Sequence, residues 1–135
     1  MPGEPGSVRY RSTVTQVGPM VTEFLGSGML ILFAEGAPAE LHDFCLLHRP
    51  DVTVGGVSPG DVLRLDDHEL EIIAVGDRAD ENLRTLGHIS VKFIEGGEAP
   101  LPGDVCVRVT TITEPTVGTQ IFIVASASAT TEGVT

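Results

Sequence analysis

A chain of 135 residues with 41% apolar content supports a single folded domain and is too short for a second core of ordinary size. Eight Lys and Arg residues face 19 Asp and Glu residues, and the resulting net charge of −11 argues against nucleic acid, whose phosphates need basic groups to neutralise them. No window approaches the ~20 consecutive apolar residues of a membrane-spanning helix, so direct membrane insertion is not expected.

The acidic surface serves solubility or docks a protein with a basic patch. Met1–Ser7 lacks the basic start and apolar run of a signal peptide, which points to the cytoplasm, where Cys45 and Cys106 stay reduced. Residues 1–7 and 125–135 are small and polar and read as unstructured tails around a domain spanning 8–124.

In chain order, Arg9–Val17 alternates as a half-buried strand and stops at Gly18-Pro19. Met29–Phe33 reads as a fully buried strand. Pro38 then suits a first helical turn, and the spacing predicts a helix to Arg49, ahead of Pro50. On that helix Leu41, Phe44, Cys45 and His48 would share one face. Strands follow at Val52–Gly55, Asp61–Leu65 and Glu69–Val75. A second helix is predicted over Asp80–Leu86, with Asp80 as its N-cap and Gly87 just past its C-terminus. It leads into a strand at His88–Ile94, and further strands are predicted at Asp104–Ile112 and Thr119–Val124. Pro59-Gly60-Asp61 and Pro102-Gly103-Asp104 each precede an alternating strand, an echo that reads as repeated turn chemistry. The whole is all-β, a small closed barrel of about seven or eight strands with two short helices, since closure removes unpaired edges.

Four histidines are the candidate chemistry. A neutral imidazole is a nucleophile near pH 7, because the reference pKa is about 6.5, and it suits the acceptance and release of a phosphoryl group. His48, on the inward side of its helix, is the first candidate and His88 the second. His48 also fits a core histidine bonded to a backbone carbonyl. A third possibility makes His42, Cys45 and His48 metal ligands, although the arc between His42 and His48 on a helix is wide for one ion. His68, in the turn Asp66-Asp67-His68, reads as exposed and structural.

The run from Met29 through Glu35-Gly36-Ala37-Pro38-Ala39-Glu40-Leu41 to Cys45 and His48 resembles the glucitol/sorbitol-specific IIA family of the sugar phosphotransferase system. So does a second block, Ala74-Val75-Gly76-Asp77 followed by Glu81-Asn82-Leu83-Arg84-Thr85-Leu86-Gly87-His88, and the resemblance extends from about Arg9 to Ile123. It implies a small β-barrel that needs no cofactor, no metal and no sugar pocket. It further implies that His48 takes a phosphoryl group from the histidine phosphocarrier protein and gives it to a cysteine of the IIB component, which works with membrane IIC. Arg49-Pro50-Asp51 departs from better-known members, leaving the transported polyol open.

At the last turn of its helix His48 would feel the negative end of the helix dipole, which favours imidazolium and disfavours a phosphate, so other groups must offset it. Arg49, the guanidinium of Arg84, Asn82 with the backbone N–H groups near Asp80, and His88 are the expected stabilising or orienting groups. A regulatory barrel without catalysis is the alternative, with His48 only completing the core. The carrier role requires an unprotonated imidazole at position 48 that reaches solvent and meets a phosphorylated donor. A ring sealed inside the barrel, with both nitrogens on internal partners and no cation or amide donor nearby, would count against it.

Overall fold

The computed structural model describes residues 7–97 and 99–125. The two tails expected from composition lie outside these residues except for Ser7 and Ala125. Those two are joined by a bond from the Ala125 N–H to the Ser7 carbonyl (2.9 Å).

Eight strands close into one barrel: β1 (Val8–Val17), β2 (Met29–Ala34), β3 (Cys45–Thr53), β4 (Val62–Leu65), β5 (His68–Val75), β6 (Ile89–Ile94), β7 (Asp104–Arg108) and β8 (Gln120–Val124). Their order around the barrel is β1-β3-β2-β6-β7-β5-β4-β8. Pairing is antiparallel except at β2–β3 and β6–β7. Closure hides every edge, which suits a chain whose longest apolar runs would otherwise offer templates for aggregation. Alternation along β1 sends Tyr10, Ser12 and Val14 inward among Leu30, Leu32, Leu63, Ile72, Val91 and Ile123.

The repeated Pro-Gly-Asp turns have one construction. Asp61 accepts the Ser58 N–H (2.9 Å) and Arg9 (3.2 Å), and Asp104 accepts the Leu101 N–H (2.9 Å) and Lys92 (3.1 Å). Each carboxylate closes its turn and is paired with a cation where it is almost fully buried, which offsets the cost of burial. The two turns introduce β4 and β7, which flank β5 on either side. A Cβ at Gly76 would run into the carbonyl of Leu101, which is why the second motif needs glycine there.

Several expectations are corrected. The helix over Pro38–Arg49 is a short 3₁₀ helix, Ala39–Phe44, and the chain then becomes strand β3, so His48 lies on a strand. The reason is tertiary. Cys45, Leu46, Leu47 and His48 are all buried because β3 is covered on both faces: Leu46 and His48 face the barrel interior, whereas Cys45 and Leu47 pack outward against Ala37, Ile31 and Phe33. Such a run has no alternation to distinguish it from a helix. Leu41, Phe44, Cys45 and His48 therefore do not share a face, and the helix-dipole effect expected at His48 does not arise.

The strand expected at Val52–Gly55 is the end of β3, and the one expected over Asp104–Ile112 stops at Arg108. A helix not foreseen, α1 (Val21–Gly26), follows β1. The second helix is α2 (Ala79–Leu86), with Arg78 rather than Asp80 at its N-cap. Asp80 instead accepts the Val57 N–H (2.8 Å) and holds Arg84. Gly87 ends α2 in the left-handed region (φ 65°), and β6 begins at Ile89, one residue after His88.

Candidate active site

His48, expected to reach solvent, is instead fully buried in the first half of β3, opposite Val14 of β1 and Ala34 of β2, because its side chain faces the barrel interior. Its ring has two partners. Nδ1 lies 2.5 Å from Oγ of Ser12, and Nε2 lies 2.7 Å from the carbonyl oxygen of Gly87. A carbonyl can only accept, so Nε2 carries the ring proton and Nδ1 accepts from the Ser12 hydroxyl. The Tyr10 ring meets the imidazole edge-on, with centroids 6.3 Å apart.

Burial pushes the His48 pKa below its usual value, outweighing the Gly87 carbonyl and the Glu35 carboxylate, which both raise it. The imidazole is therefore neutral at pH 7. The sign for stability follows. An unfolded histidine binds its proton near pH 6.5 while the folded one resists it, so stability falls as the pH drops below about 6.5 towards the lower folded pKa, by up to about 1.4 kcal/mol per pH unit. Urea titrations between pH 7.5 and 5 are expected to show this loss in the wild type, and His48→Gln should flatten that part of the profile.

The cover over Nε2 is thin. It is the left-handed turn at the end of α2, held by the Gly87 N–H to Leu83 carbonyl bond (3.0 Å) and the His88 N–H to Asn82 carbonyl bond (3.2 Å). A Cβ on Gly87 would sit 2.8 Å from Cβ of Ala34 and 3.1 Å from Cε1 of His48, so only glycine lets this turn close onto the ring. Around it Leu86 is exposed and His88 half-buried. Nδ1, in contrast, points to the interior.

His88 is the immediate neighbour of this cover. Its Nδ1 lies 3.0 Å from the Leu32 carbonyl, which fixes the proton on Nδ1 and leaves the Nε2 lone pair as the ring's basic position. The ring stacks on Phe33 with centroids 4.5 Å apart.

The structure thus brings together His48 and His88 through Gly87, and it holds the other expected groups elsewhere. Arg49 follows His48 on β3, so its side chain leaves the opposite face and makes a two-bond pair with Glu35 (3.2 and 3.1 Å). Arg49 also draws the Glu35 carboxyl below its ordinary range. Arg84 is engaged by Asp80 (2.9 Å). Asn82 contributes its backbone carbonyl to the turn, and its own N–H is used within α2 by the Arg78 carbonyl (2.9 Å). In this conformation the two guanidinium groups serve carboxylates rather than an imidazole.

Ser12 and the Gly87 carbonyl are the partners of the His48 ring that sequence reasoning missed. Ser12 had a signal: it is the polar member of an inward series, Tyr10-Ser12-Val14, and a buried hydroxyl needs a partner. The metal alternative loses its geometry, since Cys45 and His48 face opposite sides of β3 and the ring nitrogen Nε2 of His42 lies 2.9 Å from the Ala37 carbonyl. No group of three or more His, Cys, Asp or Glu among the described residues is placed to hold an ion. Cys45 and Cys106 are buried thiols, and burial raises the Cys45 pKa.

Comparison with known proteins gives consistent matches. A profile for the "PTS system glucitol/sorbitol-specific IIA component" family matches residues 9–122. The glucitol/sorbitol-specific EIIA component of Shigella flexneri is 41% identical over 101 residues, covering 75% of this chain and 82% of that protein. Its counterpart in Escherichia coli K12 is 40% identical over the same coverage. A crystal structure of a PTS system IIA component from Enterococcus faecalis V583 superposes with a TM-score of 0.71 at 26% identity, covering 84% of this chain and 98% of that one.

Proposed function

We propose, for a chain that belongs to the glucitol/sorbitol-specific IIA component family of the phosphotransferase system, that it carries a phosphoryl group on His48 between the histidine phosphocarrier protein and the IIB component. The observation that supports this reading is an imidazole held neutral at pH 7 at the end of the family's first motif, with Nε2 beneath a single backbone carbonyl. The described conformation is then the resting one, closed over the acceptor nitrogen.

The two partners of the ring differ in what they allow. The Ser12 hydroxyl can donate to Nδ1 or accept from it, whereas the Gly87 carbonyl can only accept. Moving the ring proton from Nε2 to Nδ1 keeps the Ser12 bond and sets two lone pairs against each other at Gly87. The turn then parts from the ring, and Nε2 becomes a nucleophile. The P–N bond of the phosphorylated donor breaks as the P–Nε2 bond of His48 forms, and Nδ1–H donates to Ser12. Onward transfer breaks that bond in favour of a cysteine sulfur on IIB. Arg49 and Arg84 would exchange their carboxylates for phosphoryl oxygens, and Asn82 and His88 would hold the opened turn.

The chain would do this in the cytoplasm, serving membrane-bound IIB and IIC partners. No helix among the described residues is long and apolar enough to cross a membrane. Incubation with phosphoenolpyruvate and the two general phosphotransfer proteins is expected to give acid-labile, base-stable labelling of the wild type. Absence of label would reject the carrier role.

A second reading is favoured by one observation, an Nε2 of His88 that has no hydrogen-bond partner among the described residues. With Nδ1–H on the Leu32 carbonyl, this nitrogen needs no opening to accept a phosphoryl group, and His48 would then position it through the Gly87 carbonyl. Separate His48→Gln and His88→Gln variants distinguish the two, since label is lost in whichever variant removes the acceptor.

A further inference from the structure

An apolar hollow of about 380 Å³ opens between α1, the 3₁₀ helix and the outer face of β2. Its walls include Phe24, Phe33, Leu41, Phe44 and His88. Phe24 and Phe44 stack with centroids 5.6 Å apart and planes 11° apart, and Phe33 stacks on His88 across the floor. Three of the five phenylalanines in a chain without tryptophan are thus spent on one partly exposed depression. Leu41 on its rim is 36% exposed. An aromatic concavity of this kind is the composition of a recognition core rather than of ordinary surface.

We propose that this hollow is the docking surface for the phosphoryl-donating protein, which presents an apolar side chain surrounded by Lys and Arg. The proposal rests on the carrier reading and deepens it. Charge selects the occupant. Glu23 on α1 and Glu40 and Asp43 on the 3₁₀ helix are exposed beside the hollow's aromatic residues and belong to no ion pair among the described residues. No Lys or Arg occurs from Ser12 to His48, the stretch that supplies most of the wall. A second copy of this chain would bring the same carboxylates and its own −11 charge to the interface, which disfavours self-association.

Position links docking to chemistry. His88, on the hollow's floor, is joined by one peptide bond to Gly87, whose carbonyl covers Nε2 of His48. A partner seated in the hollow therefore presses on the residue adjoining the cover. Opening confined to the complex would keep water from the acceptor between transfers.

The test titrates the full chain, ¹⁵N-labelled, with unphosphorylated histidine phosphocarrier protein and compares Leu41→Lys, Glu40→Lys and Asp43→Lys with the wild type. Val54→Lys, at an exposed apolar position outside the hollow, is the control. Leu41→Lys is expected to weaken binding about tenfold or more, and either charge reversal severalfold, with wild-type affinity falling as salt rises. Labelling should slow at limiting donor and recover at saturating donor. Wild-type affinity in all three hollow variants, with labelling intact, would overturn the docking surface and leave the carrier reading standing. Failure of the wild type to be labelled at all would overturn both. Self-association of the wild type that Leu41→Lys abolishes would assign the hollow to a second copy and overturn the donor.

Discussion

Replacing His48 with Gln is expected to give a folded chain that takes up no phosphoryl group. The side-chain amide of Gln can donate to the Gly87 carbonyl, as Nε2–H does at 2.7 Å, and it offers nothing nucleophilic. Ser12 would keep a polar neighbour. Labelling from phosphoenolpyruvate through the two general proteins should fall by at least about 100-fold, the scale of removing the group that forms a covalent intermediate. His88→Gln, in contrast, should keep its label at saturating donor while its uptake rate changes, because that residue adjoins the cover without accepting the group. A His48→Gln protein that labels like the wild type would assign the acceptor elsewhere, with His88 first.

Truncation at the same position should be severe for a different reason. His48→Ala removes a ring with no solvent exposure and leaves the Ser12 hydroxyl and the Gly87 carbonyl without their shared partner. Each buried polar group so orphaned costs about 1–3 kcal/mol, and the vacated volume adds a cavity cost. The expected loss is about 3–5 kcal/mol, against a total stability of about 5–15 kcal/mol for a domain of this size. Urea denaturation followed by circular dichroism checks it. A loss under 1 kcal/mol would mean that the turn at Gly87 collapses onto the gap. The contrast with Gln matters, because loss of label in an unfolded Ala variant would say nothing about chemistry.

Much of the barrel is written locally. Tyr10, Ser12 and Val14 alternate with Arg9, Arg11 and Thr13, and the Pro-Gly-Asp turns carry their own hydrogen-bonding chemistry, so strands and turns could be read from short windows. Gly87 marked the end of α2 because its left-handed backbone is costly for other residues. The strand carrying His48 was illegible for a physical reason. Cys45-Leu46-Leu47-His48 is buried on both faces, so the period that separates strand from helix is absent, and only pairing with β1 and β2 decides the outcome. Helix α1 was missed because its six residues carry too little periodicity.

The site divides in the same way. His48 stood out because two long motifs resemble one family, whereas its covering and its tautomer depend on Gly87, 39 residues away, and its second ring partner is Ser12, 36 residues away. Neither separation leaves a trace in a local window. Arg49 and Arg84 stand out for their charge, but Glu35 and Asp80 lie within reach and hold them. Whether a guanidinium faces a phosphate or a carboxylate is a competition between neighbours that spacing does not encode.

The central claim is that one ring nitrogen of one histidine takes the group. Brief labelling of the wild type by phosphoenolpyruvate and the general proteins, followed by proteolysis and tandem mass spectrometry under alkaline conditions, addresses it directly. The account predicts a single phosphorylated peptide with the modification on His48. A phosphoryl group mapped to His88, or to no histidine, would contradict it.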